Sequence, residues 1–225
     1  MKDVFYFLSV APLLREEALF RRAFSSVADA DRRQRIERIR SPRERCLSLG
    51  GTLLLQKALR DAGAEGAALA YGEHGKPYLA HRSSPRFNLS HSGDYAVCVL
   101  SEAPVGCDIE RVRDVPPGVA ARCFSPEENA ALAACADPAE REALFFRFWT
   151  LKESLLKAVG CGISLPLSSV SFDLSGSEPA VRQQIAPGPF FFREYGELPG
   201  YRVALCRQKD GSFPPLLPLD WTQTL

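Results

Sequence analysis

The chain has 225 residues, 46% of them hydrophobic and 24% charged, with a formal net charge of +1. That suffices for a sizeable core in one large domain or two small ones, and nothing in the overall charge asks for nucleic acid or an anionic membrane as partner. Seven cysteines, an odd number without any C-x-x-C pair, argue against a disulfide framework or a zinc site and for a reducing compartment. No segment approaches the roughly 18 consecutive apolar residues of a membrane span. Val4 to Val10 is apolar, but Asp3 stands where a signal peptide needs basic residues, so the segment reads as a first strand and a cytoplasmic location is expected.

After that strand, Pro12 opens one helical segment, LLREEALFRRAF, with Leu14, Ala18 and Leu19 at helical spacing. Asp29 to Arg45 is the basic pole, with Arg32, Arg33, Arg35, Arg38, Arg40, Arg43 and Arg45; for any one of them a solvated helix face is the competing meaning. Ser41-Pro42 interrupts the helix, which resumes from Arg43 to Leu59 with Leu47, Leu49, Leu53, Leu54 and Leu55 as its buried face. Gly50-Gly51 inside it costs roughly 1 kcal/mol per glycine against alanine, and either close packing or an approaching ligand would justify the pair. A short strand, Ala68 to Tyr71, leads into the turn-rich loop Tyr71-Gly72-Glu73-His74-Gly75-Lys76-Pro77.

Three short strands follow: Phe87 to Ser90, Tyr95 to Leu100 across a turn at Ser92-Gly93-Asp94, and Val105 to Glu110. Pro116-Pro117-Gly118 is a linker-like break. Ser125-Pro126-Glu127-Glu128 is a helix start, with an N-cap serine, proline at the first helical position and acids in the first turn. Asp137-Pro138 opens the next helix, which runs through Trp149 toward Ala158 and ends at Gly160-Cys161-Gly162. Ser169 to Leu174, Phe190 to Tyr195 and Tyr201 to Cys206 alternate as antiparallel strands, and the proline-rich tail FPPLLPLDWTQTL is expected to pack irregularly over the surface. The elements are those of an α+β chain.

The chemistry concentrates in two stretches. Asp108 and Glu110, two apart on a strand, share one face while Ile109 points the other way. Such a pair of hard carboxylates suits Mg²⁺, with Mn²⁺ as a substitute, which leaves its other positions to water and phosphate. Trp149, Glu153 and Lys157 lie along one helical stripe; if it faces that strand, Glu153 is a third carboxylate and Lys157 a cation beside it, whereas a plain surface pair is the commoner meaning of that spacing. Trp149 itself reads as a core anchor.

Asn-x-Ser-His-Ser at Asn88 to Ser92, Gly-x-Asp-Ile-Glu at Gly106 to Glu110 and Trp-x-x-Lys-Glu-Ser-x-x-Lys at Trp149 to Lys157, in this order, strongly resemble the 4′-phosphopantetheinyl transferases of the surfactin-synthetase-activating (Sfp) type. The resemblance runs from about Arg32 to Val170 and takes in the Gly75-Lys76-Pro77 loop and the helix around Ser48. It implies magnesium-dependent transfer of 4′-phosphopantetheine from coenzyme A to a serine of an apo acyl or peptidyl carrier domain, releasing adenosine 3′,5′-bisphosphate. It implies Asp108, Glu110 and Glu153 as metal ligands, Glu153 as base, and Lys157 and His91 as further catalytic groups. Ser90, His91 and Lys157 would contact phosphate, Lys76 and Pro77 the nucleotide, and Arg32, Arg35 and Ser48, or Arg45 as a rival, the 3′-phosphate. It also implies two similar α/β subdomains packed as an intramolecular pseudodimer, 1–111 and 112–225, in a monomer with the site in the cleft between them. The alternatives are a non-catalytic carrier- or nucleotide-binding module of the same fold, and a serine hydrolase built on Ser90, His91 and Asp94; the latter lacks the G-x-S-x-G elbow.

Overall fold

A computed structural model describes residues 2–72, 76–81, 84–161 and 166–225. Glu73, His74 and Gly75 of the turn-rich loop, and Gly162 beyond the long helix, lie outside the described residues.

The first half runs β1 (Val4–Ser9), α1 (Ala11–Arg15), α2 (Glu17–Ser25), α3 (Ala30–Glu37), α4 (Pro42–Asp61), β2 (Leu69–Tyr71), β3 (Pro77–Leu79), β4 (Arg86–Ser92) and β5 (Tyr95–Ser101). The single helix expected after Pro12 is two, separated by Glu16 in an extended conformation at φ −122° and ψ 96°. The break at Ser41-Pro42 is as expected: the Ser41 hydroxyl accepts the Glu44 N–H, and proline fills the first helical position, where a missing N–H costs nothing. Strands β1, β5 and β4 are antiparallel neighbours, and α4 buries its leucines against them. Within α4 the two glycines divide the explanations: a Cβ on Gly50 would meet Val10 Cγ1 at 2.7 Å, so packing demands it, while Gly51 has open space.

The chain then gives β6 (Val105–Arg111), α5 (Val119–Cys123), α6 (Pro126–Ala134), α7 (Pro138–Val159), β7 (Ser171–Asp173), β8 (Ala180–Arg182), β9 (Phe191–Tyr195), β10 (Tyr201–Arg207), β11 (Leu216–Leu219) and α8 (Trp221–Thr224). Strands β6, β10 and β9 form a second antiparallel sheet, and β7 pairs with β8 as a separate ribbon. Strand β6, which ends at Arg111, makes its strand hydrogen bonds with β10. The tail departs further from expectation. Strand β11 pairs parallel with β1, Phe7 opposite Pro218, and Trp221 is buried with its Nε1 donating to Ser9 O at 3.1 Å. Proline is tolerated there because β11 is the edge of the sheet order β11-β1-β5-β4.

Two apolar clusters serve the halves, and a third lies between them, where Phe5, Val97 and Val99 meet Cys107, Ile109, Val203 and Leu205. Val105, Cys107 and Ile109 of β6 face that shared core. The even-numbered residues, Gly106, Asp108 and Glu110, face the other way, toward α7. A Cβ on Gly106 would stand 2.1 Å from Ser154 O and 2.3 Å from Ala158 N, so only glycine lets the α7 backbone lie directly on the strand.

Candidate active site

Beyond its exposed first turn, helix α7 is buried on most sides: Phe148, Thr150, Leu151, Lys152, Ser154, Leu155, Leu156 and Ala158 are all enclosed. Its half-open stripe is Trp149, Glu153 and Lys157, and this stripe lines a cavity of about 450 Å³ together with Asp108, Glu110, Ser90, His91, Arg32, Ser48 and Gly51. The close seat over Gly106 makes the arrangement possible, because it brings the helix stripe to the acid-bearing face of β6. Trp149 also stacks on Phe145, one turn back on the same helix, at 5.8 Å, and packs against the edge of the second core cluster.

Asp108, 3% exposed, accepts at Oδ1 from Ser90 Oγ at 2.7 Å and from Lys157 Nζ at 2.6 Å, while its Oδ2 has no partner. Lys157 Nζ also donates to Ser90 Oγ at 3.0 Å. Glu110 accepts at Oε2 from Ser92 Oγ at 2.8 Å and from Arg113 Nη1 at 3.1 Å. Burial raises the Asp108 carboxyl, and Lys157 opposes that without cancelling it. Burial raises Glu153 too, with the Asp108 charge adding to it. For Lys157 burial works downward, and the charge and hydrogen bond of Asp108 outweigh it, so the ammonium is held above its ordinary range.

Glu153 thus faces the cavity of the β6 pair and feels its charge. It is not drawn into a cage, however: among the described residues no three His, Cys, Asp or Glu side chains form a ready-made metal cluster. The donor set still fits a hard divalent ion. Two carboxylates two residues apart, one with a buried unpartnered oxygen, are what Mg²⁺ takes when water and phosphate fill its remaining positions.

The basic candidates separate. Arg32 enters the cavity wall, its Nε donating to Thr52 Oγ1 at 2.8 Å and its Nη2 to Ser48 Oγ at 2.9 Å. Arg35 lies over the Tyr71 ring, 4.4 Å from its centroid, and Arg45 donates twice to Ile39 O, at 3.0 and 2.7 Å. Neither lines this cavity. Lys76 and Pro77 line a neighbouring cavity of about 430 Å³, and the Lys76 ammonium donates to the carbonyls of Lys157 and Ala158 in the last turn of α7.

Ser90 and His91 are adjacent on β4 and so alternate across it: Ser90 is buried, its hydroxyl held by Asp108, and His91 is exposed. A serine–histidine nucleophile is excluded by that geometry. Sequence reasoning passed over Lys152 and Glu128, a fully buried ion pair at 2.6 Å behind the active stripe. Lys152 also donates to Leu167 O at 2.9 Å, and the Glu128 carboxylate accepts the N–H of Ser125 and Phe172. The one local signal was Glu128 at the third helical position after Ser125, a capping box.

Comparison with known proteins gives the class and then the family. The model of the 4′-phosphopantetheinyl transferase superfamily matches residues 104–206, and that of the 4′-phosphopantetheinyl transferase N-terminal region matches 15–103, so the chain is an α+β transferase. A 4′-phosphopantetheinyl transferase of Bacillus subtilis is 33% identical over 186 residues, 80% of this chain and 82% of that one. The 4′-phosphopantetheinyl transferase Sfp of Bacillus subtilis strain 168 is 30% identical over 87% of each chain. Among solved structures, the holo-[acyl-carrier-protein] synthase of Neisseria meningitidis overlaps 48% of this chain and 98% of its own at 19% identity, with a TM-score of 0.39, too loose a match to carry weight. The chain belongs to the 4′-phosphopantetheinyl transferase family, in its Sfp-type branch. As a member it is an enzyme that takes coenzyme A as substrate and transfers the phosphopantetheine group to a carrier protein.

Proposed function

We propose that transfer takes place in the cavity between β6 and α7, with Asp108 and Glu110 holding Mg²⁺, Glu153 beside it as base, and Lys157 as the cation on the phosphate. The single observation that carries this reading is the shared cavity of the three carboxylates and Lys157, with Asp108 Oδ2 buried and unpartnered. When bound, the ion neutralises the diphosphate of coenzyme A and polarises its phosphorus–oxygen bonds.

The protein's own groups do the rest. Glu153 accepts the proton of the carrier serine as its oxygen attacks the phosphorus next to the pantetheine arm; a half-buried carboxyl raised by burial is a better base than a solvated one. The new serine–phosphorus bond replaces the anhydride bond, and adenosine 3′,5′-bisphosphate leaves. Lys157, already locked against Asp108, meets charge on the transferred phosphoryl oxygens without having to reorganise. His91, with Ser90, borders the diphosphate. Arg32, held by Thr52 and Ser48, presents its guanidinium to the 3′-phosphate; Arg35 lies farther out over Tyr71, and Arg45 is engaged by Ile39 O. Lys76 and Pro77 flank the nucleotide from the neighbouring cavity. The two halves work as one monomer, with coenzyme A between them, in the cytoplasm.

Incubation with coenzyme A, Mg²⁺ and an apo carrier, followed by intact mass, tests the reading. The carrier gains one phosphopantetheine group, chelation with EDTA stops the gain, and restored Mg²⁺ or Mn²⁺ recovers it. Glu153→Gln is expected to lower kcat about 10²–10⁴-fold at an unchanged unfolding midpoint. Wild-type turnover in that variant, or after chelation, would refute the assignment.

A further inference from the structure

Strand β4 carries a polar row that the reaction as described uses only in part. Asn88, Ser90 and Ser92 fall on one side by the two-residue period. The N–H of Cys107 donates to Asn88 Oδ1 at 2.9 Å, that of Ile109 to Ser90 Oγ at 3.4 Å and that of Arg111 to Ser92 Oγ at 3.1 Å. The offset is constant and both strands ascend, which is a parallel register. Yet β4 and β6 belong to different sheets, and among the described residues no backbone ladder joins them. Side chains bridge the two edges instead.

Both serines also reach the acids. A hydroxyl has one proton and two lone pairs, so it can accept a strand N–H while donating to a carboxylate. Ser90 donates to Asp108 Oδ1 and Ser92 to Glu110 Oε2, each carboxylate eighteen residues further along the chain. Each acid is thus tied by one oxygen. Asp108 Oδ2 has no partner, and Glu110 Oε1 has none among the described residues.

We infer that Ser92 is a positioning residue for the acid pair: seated on the Arg111 N–H, its hydroxyl holds one oxygen of Glu110 and leaves the other for the cavity that Glu110 lines. The inference rests on the reading of Asp108 and Glu110 as metal ligands. Arg113 grips the same oxygen, but it is exposed and does not fix the carboxylate by itself. Loss of the Ser92 hydroxyl frees Glu110 to swing toward Arg113 and solvent. Partners of this kind behind a ligand are worth about 10–100-fold in metal affinity.

The test is Mn²⁺ titration followed by electron paramagnetic resonance, on the whole enzyme with coenzyme A present and carrier absent, so that nothing turns over. Ser92→Ala is expected to bind Mn²⁺ about tenfold more weakly, and Ser92→Thr, which keeps the hydroxyl, to stay within about twofold of wild type. The unfolding midpoint of Ser92→Ala should hold, because Arg111 is exposed and water can take its N–H. Wild-type Mn²⁺ affinity in Ser92→Ala, alongside its loss in Asp108→Ala, overturns the positioning role alone. Wild-type affinity in Asp108→Ala overturns the metal reading itself. A Ser92→Ala chain that does not fold, or a Ser92→Thr as weak as Ser92→Ala, makes the residue structural and overturns the inference.

Discussion

Helices α7 and α4 border the same cavity, and they got their side chains there by different routes. On α7 the three cavity residues are four apart, close to the backbone, on a helix enclosed on most other sides; their direction follows from the helical period once the helix is seated. Around α3 and α4 the arginines are long and loosely directed. Arg32 turns into the cavity while Arg45 folds back on Ile39 O and Arg33 on the carbonyls of Val27 and Ala28. Regular spacing on a fixed element announces a site; a cluster of flexible cations announces only a region, because each can satisfy itself locally.

The hardest break of that contrast is to unseat α7. Lys152→Met leaves the Glu128 carboxylate buried without its cation, with both side chains fully enclosed in the native protein. A loss of about 3–5 kcal/mol in denaturant unfolding is expected; a loss under 1 kcal/mol would mean the pair does not hold the helix. Gly106→Ala pushes a methyl into the backbone of α7 at Ser154 and Ala158. It should cost about 1–3 kcal/mol and lower kcat with it, since Glu153 and Lys157 lift away from Asp108. Unchanged kcat would show that the close seat is not what aligns the stripe.

The arginine side gives the smallest and most selective effects. Arg32→Ala should weaken coenzyme A about 10- to 150-fold while leaving dephospho-coenzyme A nearly unchanged, the scale of about 1.5–3 kcal/mol for a hydrogen bond to a charged group. Arg45→Ala should affect both ligands equally and slightly, with a stability cost of about 1 kcal/mol for its bonds to Ile39 O. Identical losses for both ligands in Arg32→Ala would move the 3′-phosphate elsewhere.

The sequence determined what depends on neighbours a few residues away. The strand placing Asp108 and Glu110 on one side, the α7 stripe, the Ser41 and Ser125 helix starts and the glycine end of α7 at Gly160 all follow from period and local hydrogen bonding, and all are found. The same locality set the limits of that reading. Tail residues 216–219 looked irregular because a proline-bearing edge strand has no internal signature; its partner β1 lies more than two hundred residues earlier. Lys152 stands in the motif without any local mark of its burial, because its carboxylate partner is on another helix and its carbonyl partner Leu167 O lies beyond α7. Only the tertiary structure decided that β6 leaves the first sheet for the second, that side chains of β4 splice the two edges, and that Arg32, rather than Arg35 or Arg45, enters the cavity wall. Each of these is a long-range pairing, and a linear pattern carries the period of a strand or helix but not the identity of what will lie against it.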